Sequence, residues 1–508
     1  MAKLIKTKKN KIKKNIYFIG IKGAGMTMLA QFLAAQGHQV SGSDIQDSFL
    51  TDKVLKKAKI KVLSPFAASN IPVRPDLIIY SSAYNEKNNP EMAEIKKPAD
   101  FKNIPVLSYA AALGRVFNEH DGVAVCGSHG KTTTSAWLGY VLMKAGQEPN
   151  VLVGSRVPQF SGSSLKGSSP YLIAEVDEYQ NKLQYFRPIG VVLNNIDYDH
   201  PDYFKTAAAY TKVFADFIKK ISPAGFLIIN GRDQEIKKIK KYCRGRVRSY
   251  DLAPNAKTFV EAEEAIKTEV DYLAYDLRLR NGYQIFKVAS RETKVSAKLR
   301  VENVYGLGEF KISLWGEHNA LNALAVLAAA RELKVSLEEV RSALASFTGT
   351  ERRAQILGKY HGALIIDDYA HHPTEIAATL KGLCAHYPDK NIITVFHPHT
   401  FTRTKEFFHD FVTSFTSSDE LIILDIYGSA RESAGRRTVE AKDGISSRQL
   451  VVAIDKFNKN QKRKQSVKYL GTIPEVIAYL RRRLTSKDTL LLMGAGDVFR
   501  IGEDLLKP

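Results

Sequence analysis

Val123-Ala124-Val125-Cys126-Gly127-Ser128-His129-Gly130-Lys131-Thr132-Thr133 is the stretch on which the reading of this chain turns. An apolar run ends in a glycine-bounded turn, and a helical pattern follows over 135–144. A buried strand, a tight turn and a helix in that order make an α/β unit. The turn is also a cradle for phosphate, because consecutive backbone N–H groups converge on one anion and the helix dipole adds about half a positive charge there. Lys131 is placed for the β- and γ-phosphates of a nucleotide and the Thr132 hydroxyl for Mg²⁺. Gly127, Ser128, His129, Gly130, Lys131, Thr132 and Thr133 together form the candidate nucleotide loop. Its spacing is Gly-x-x-Gly-Lys-Thr, with Val125 standing where the general phosphate-loop form has its first glycine. A plain glycine turn between strand and helix would match so short a motif equally well, so the rest of the chain has to decide.

The chain has 508 residues, too many for one ordinary core, and its length predicts two to four domains. With 44% hydrophobic and 25% charged residues the composition is that of a soluble globular protein. It has no run of about 18 apolar residues, so no membrane span is expected. The lysine-rich start, 1–15, lacks the apolar centre of a secretory signal. Cys126, Cys243 and Cys384 are far apart and without metal-ligand spacing, as expected of reduced thiols in the cytoplasm. The formal charge of +21 raises the possibility of a nucleic-acid partner. Seven lysines, however, fall in the first fourteen residues, others lie on presumptive helix faces at 237–241 and 481–483, and no aromatic-interleaved RNA-binding pattern accompanies them. A solvated basic face, or steering of polyanionic small substrates, explains the charge without nucleic acid.

Working outward from the loop, the first segment reads as a strand ending at Ile19, the turn Gly20-Ile21-Lys22-Gly23-Ala24-Gly25-Met26, a helix over 27–36 and a second strand closing on Asp44. This opens a Rossmann-like unit, yet the glycines fall as Gly-x-x-Gly-x-Gly, which violates the dinucleotide fingerprint. A diphosphate at the turn is expected and NAD is not. Ser81 and Ser82 close a later strand whose end faces the same ligand or is a plain strand terminus. The second unit begins near Asp121 and contains strands over 171–175 and 190–195 and a helix over 319–333. Between 225 and 315 the pattern becomes short and alternating, which predicts antiparallel strands beside the main sheet. A third unit opens at Ala363, with further buried strands over 391–396, 420–425 and 489–493 separated by helices, as in a parallel sheet.

Two strand ends carry chemistry. Glu175-Val176-Asp177-Glu178 closes a buried strand where open α/β sheets place ligands, and such an acidic cluster calls for a cation such as phosphate-bound Mg²⁺. Asn195-Ile196-Asp197-Tyr198-Asp199-His200 ends the neighbouring strand with two more carboxylates and a histidine.

On these residues the chain resembles a Mur ligase, the three-domain ATP-dependent amide-forming family of peptidoglycan precursor synthesis. The likeness runs from Ile16 to Gly496 and continues through Gly316-Glu317-His318-Asn319, Thr350-Glu351-Arg352-Arg353, Asp367-Asp368-Tyr369-Ala370-His371-His372-Pro373, Phe396-His397-Pro398-His399, Arg403-Thr404 and Met493-Gly494-Ala495-Gly496. The resemblance implies an α/β fold. Residues 1–118 would be a Rossmann-like domain for UDP-N-acetylmuramate, 119–347 a central P-loop ATPase domain and 348–508 a C-terminal Rossmann-like domain for L-alanine. It implies a carboxylate phosphorylated by ATP and then attacked by an amine, in a monomer or homodimer with no nucleic-acid or membrane partner. The implied catalytic set is Lys131, Glu175, His200, His371 and Arg403. Thr132 and Glu175 would hold one Mg²⁺ and His200 a second. Asn319 and Asn322 would face the adenine and Arg353 the ATP phosphates. Gly20, Gly23, Ala24, Gly25, Met26, Asp44, Ser81 and Ser82 would line the UDP-sugar site. Tyr369, His371 and Arg403 match positions beside the amino acid, the guanidinium being suited to its carboxylate.

The chain departs from the family at Ser128, where threonine is usual, at Tyr179-Gln180-Asn181-Lys182, which replaces a Ser/Asp-rich stretch, and at Thr400, where some relatives have a second basic residue. Leu193-Asn194-Asn195 with Asp199-His200 is also similar to the peptide-recycling branch, which joins a tripeptide to the same nucleotide sugar. A non-catalytic nucleotide-sugar sensor is the rival from another class, opposed by the intact Lys131, Glu175 and His200.

Overall fold

The computed structural model describes residues 13–97, 101, 103–266, 270–296, 299–428 and 444–507. Strands β1 (Asn15–Ile19), β2 (Gln39–Ser43), β3 (Lys61–Leu63), β4 (Leu77–Tyr80) and β5 (Val106–Ser108) form an all-parallel sheet in the order β3-β2-β1-β4-β5. The order reverses beside β1, so a crevice opens at the carboxyl ends of β1 and β4, above the Gly20–Met26 turn.

The central sheet has ten strands. They are β6 (Asp121–Cys126), β7 (Asn150–Val157), β8 (Gly162–Leu165), β9 (Tyr171–Glu175), β10 (Gly190–Leu193), β11 (Phe226–Asn230), β12 (Arg246–Ala253), β13 (Tyr272–Arg280), β14 (Tyr283–Ser296) and β15 (Leu299–Ile312), in the order β15-β14-β13-β12-β11-β10-β6-β9-β7-β8. The expected antiparallel stretch is shorter than its sequence pattern. The pairs β11–β12 and β12–β13 are parallel, and only β13–β14 and β14–β15 are antiparallel. Short helices, Gln234–Ile239 after β11 and Phe259–Ile266 after β12, carry the chain back across the sheet and impose the parallel direction.

The third sheet comprises β16 (Gln355–Tyr360), β17 (Ala363–Asp368), β18 (Asn391–Phe396), β19 (Glu420–Ile423), β20 (Ser466–Tyr469) and β21 (Asp488–Met493), in the order β16-β17-β21-β18-β19-β20. It is parallel except for β16.

The way the three domains join differs. One continuous apolar cluster runs from Phe18, Leu29 and Phe32 to Leu152, Leu172 and Phe214, fastening the N-terminal helix Ala24–Ala35 to the central domain. The C-terminal domain meets the central one through the polar pairs Arg156 with Glu351, His129 with Glu375 and Asp199 with Arg403, and through Trp315 and Tyr198, which pack against the C-terminal core. The connection passes through Gly349, Arg352 and Ala354, whose φ values are +95°, +60° and +48°. Left-handed backbone at non-glycine residues stores strain. The strained connection marks the joint at which the C-terminal domain is expected to turn.

Candidate functional site

The loop after β6 turns into the helix Lys131–Lys144, which starts four residues before the expected 135 because its polar first turn carries no apolar periodicity. Two glycines are dictated by space as well as by φ. A Cβ on Gly127 (φ +124°) would lie 2.7 Å from the Asn195 carbonyl, and one on Gly130 (φ +75°) 2.6 Å from Asn322 Oδ1. Lys131 Nζ donates to the carbonyls of Gly127 and Ser128 and lies 3.7 Å from Glu178 Oε2. The Thr132 hydroxyl donates to Glu175 Oε1 at 2.8 Å, while Glu175 Oε2 accepts the Gly154 N–H at 2.7 Å.

These groups face a cavity of about 930 Å³ walled by all three domains. Gly23, Ala24 and Lys22 come from the N-terminal domain; Ser128, Gly130, Lys131, Thr132, Glu175, Asp199 and His200 from the central one; Arg353, Tyr369, His371, Glu375 and Arg500 from the third. A smaller cavity of about 170 Å³ adjoins it and is lined by His129, Thr133, Asn319 and Asn322, with Gly130, Arg353 and Glu375 common to both. Asn319 and Asn322 sit on the first turns of the helix Glu317–Glu332. Arg353 stands 3.8 Å from Glu375 and, with Arg352, flanks the Tyr369 ring at 5.2 and 5.0 Å.

The electrostatics divide the histidines. His129 bridges Asp197 (2.9 Å) and Glu375 (3.2 Å) across the domain seam. Burial opposes its charge, but the hydrogen bonds to these two carboxylates prevail and lift it to about 9. His371 is driven the other way, to about 3, by burial and then by Arg403. Its Nδ1 donates to the Tyr369 carbonyl at 3.0 Å, so the Nε2 lone pair is left as an acceptor. His200, at φ +57°, directs Nε2 to within 3.5 Å of Glu178 Oε1. Glu178 is buried and its Oε2 has no hydrogen-bond partner. An unsatisfied buried carboxylate oxygen beside Glu175, Asp177 and one imidazole is a donor set suited to a hard divalent cation such as Mg²⁺.

Several expected site residues stand elsewhere. Met26 is a core residue at 3% exposure. Gly25 is closely approached by Tyr109, 2.5 Å from a would-be Cβ, and Gly20 by Tyr84. Asp44 is buried and accepts the Lys22 N–H at 2.6 Å, bracing the turn from inside. Gly20, Gly25, Met26, Asp44, Ser81 and Ser82 are not among the residues lining the large cavity; Lys22 and the segment 47–51 take that place. Arg403 likewise does not line it. At 6% exposure its guanidinium is turned onto Asp199, with contacts of 3.0 to 3.1 Å. Pairings such as Asp199–Arg403 and His129–Glu375 had no sequence signal, since the partners lie 204 and 246 residues apart.

Three family models match the chain in succession: "Mur ligase family, catalytic domain" over 15–121, "Mur ligase middle domain" over 125–330 and "Mur ligase, glutamate ligase domain" over 352–496. The chain is 36% identical over 493 residues to a UDP-N-acetylmuramate–L-alanine ligase of Desulfitobacterium hafniense, covering 97% of this chain and 99% of the relative. It is 34% identical to one of Borreliella afzelii, covering 96% and 97%. In fold it is similar to the UDP-N-acetylmuramate–alanine ligase of Thermotoga maritima, with a TM-score of 0.76 at 22% identity and coverage of 97% and 98%. A murein peptide ligase of Psychrobacter arcticus superposes with a TM-score of 0.68 at the same identity and coverage.

Proposed function

The chain belongs to the Mur ligase family, and from that premise we propose that it joins L-alanine to UDP-N-acetylmuramate, converting ATP to ADP and phosphate, in peptidoglycan precursor synthesis. The observation that carries this reading is the 36% identity, spanning 97% of the chain, to a relative of that activity. The cavity fits it, because a reaction with three substrates needs one space reached from three domains.

A carboxylate is no electrophile until one of its oxygens can leave. The substrate carboxylate therefore attacks the γ-phosphorus, an O–P bond forms, the β–γ bridge breaks and ADP departs. The amine then attacks the acyl carbon, and phosphate leaves from the tetrahedral intermediate with its electron pair. Lys131 swings from the Gly127 and Ser128 carbonyls to the γ-phosphate, where its charge offsets the repulsion between the two anions. Thr132 and Glu175 would hold one Mg²⁺ and His200 a second, which would supply further charge neutralisation when bound. Asn319 and Asn322 line an adenine-sized cavity, and Arg353, facing both cavities, lies along the path of the triphosphate. His371, kept neutral by burial, presents Nε2 to the amine as a hydrogen-bond acceptor, and the proton that the amine must lose passes to solvent. The three free thiols agree with a cytoplasmic setting, and among the described residues no helix is long and apolar enough to cross a membrane.

ADP release with UDP-N-acetylmuramate and, in turn, L-alanine, glycine, L-serine and L-alanyl-γ-D-glutamyl-diaminopimelate tests the proposal. L-Alanine should give the highest kcat/KM. Preference for the tripeptide would replace the biosynthetic reading with the recycling one, and no turnover with any amine would refute both.

A further inference from the structure

We infer that Asp199 receives the α-ammonium of the incoming amino acid and that Arg403 acts through it as a positioning residue. The inference rests on the ligase reading above. Of the two members of this pair, Asp199 lines the large cavity, close to His200, His371, Tyr369 and Tyr427, whereas Arg403 stands behind it. The Asp199 oxygens are unequally occupied. Oδ1 accepts from the His200 N–H at 2.7 Å, from Arg403 Nε at 3.1 Å and from Arg403 Nη2 at 3.0 Å. Oδ2 accepts only the Arg403 Nη2 contact at 3.1 Å, with His200 Nε2 at 3.9 Å. One oxygen is saturated and the other keeps a lone pair, so the carboxylate has a defined orientation and a vacancy for one more donor. The two-point contact with the Arg403 guanidinium makes this a charge-paired carboxylate.

A fixed anion in the amino-substrate cavity attracts a cation, and the cationic end of a free amino acid is its ammonium. Asp199 would position the nitrogen, with the Nε2 lone pair of His371, whose Nδ1 is engaged by the Tyr369 carbonyl, left as a second acceptor on the same cavity.

The test is a partition experiment on the full-length enzyme with ATP, UDP-N-acetylmuramate and two competing nucleophiles. L-Alanine arrives as an ammonium, whereas hydroxylamine is neutral near pH 7.5 and intercepts the acyl phosphate as a hydroxamate. In Asp199→Asn the kcat/KM for L-alanine divided by that for hydroxylamine should fall roughly 10- to 100-fold, the value of one charge-assisted hydrogen bond. Because both nucleophiles consume the same intermediate, damage to ATP handling or folding cancels from the ratio. Asp199→Glu, with its charge kept but displaced, should recover part of the loss. An unchanged ratio in Asp199→Asn overturns the inference. So does tighter inhibition of that variant by propionate, which would mean that Asp199 had been occupying the site of the substrate carboxylate. Absence of hydroxamate with the wild-type enzyme would instead overturn the ligase reading on which it stands.

Discussion

Removing the His129 imidazole should abolish the pH dependence of domain closure. In the closed arrangement His129 is bonded to Asp197 of its own domain and to Glu375 of the C-terminal one, with His372 packed at 4.8 Å, and it titrates at about 9. Opening takes Glu375 away and exposes the ring, which returns towards an ordinary value of about 6.5. A pKa raised by closing stabilises the closed form fully below about 6.5, and that stabilisation is lost as pH rises through about 9. A shift of roughly 2.5 units is worth about 3 kcal/mol, an upper limit of about 300-fold on the closed-to-open ratio. The proton's contribution is at most about 30-fold at pH 7.5 and near unity at pH 9.5, a fall of at most about 20-fold, and smaller to the extent that Asp197 keeps its hydrogen bond to the ring in the open form. Energy transfer between labels on the central and C-terminal domains of the free enzyme reads that ratio directly. The wild type should open across this interval, while His129→Gln should begin more open and stay level. Equal slopes for the two proteins would refute the reasoning, because the titrating group would then lie elsewhere.

Lys131→Ala should lower kcat by roughly 10³-fold, as expected when a charge-stabilising group is removed from phosphoryl transfer; ADP release near the wild-type rate would rule the role out. Glu175→Gln and His200→Ala should each raise the Mg²⁺ concentration needed for half-maximal turnover while leaving the calorimetric affinity for UDP-N-acetylmuramate within about twofold. A Mg²⁺ dependence unmoved in both variants would count against the metal assignment. Gly130→Ala forces a Cβ to 2.6 Å from Asn322 Oδ1 at a φ of +75°, so ATP binding should weaken roughly 5- to 30-fold, the equivalent of roughly 1–2 kcal/mol of backbone strain. Arg352→Ala strands Asp367, whose side chain is 1% exposed and whose partner lies at 3.0 Å. Urea unfolding of the C-terminal domain should lose about 3–5 kcal/mol, and an unchanged midpoint would mean that the pair is not formed in solution.

What the sequence disclosed and what it withheld divide along physical lines. The phosphate loop was legible because its demands are local: the left-handed turns at Gly127 and Gly130 leave no room for a Cβ, and Lys131 and Thr132 follow at fixed spacing. Glu175 and His200 stand out in sequence because strand ends in parallel sheets face the ligand crevice, and the structure puts both on the large cavity. The N-terminal turn is divided: Lys22, Gly23 and Ala24 line the large cavity, while Gly20, Gly25 and Met26 do not. A glycine can be required by a ligand or by a neighbouring side chain, and at Gly25 the neighbour is Tyr109 while Met26 packs into the core. Arg403 marks the limit most sharply. A guanidinium among ligand-facing motifs announces a carboxylate, and one lies within 3.0 Å. Charge complementarity names the partner's chemistry but not its owner, and here the owner is Asp199, brought from another domain by a closure that no local pattern encodes. On the inference drawn above, a carboxylate supplied by the protein would make the arginine the support of an acceptor and not a clamp on the substrate, and the end of the amino acid recognised there would be its amine.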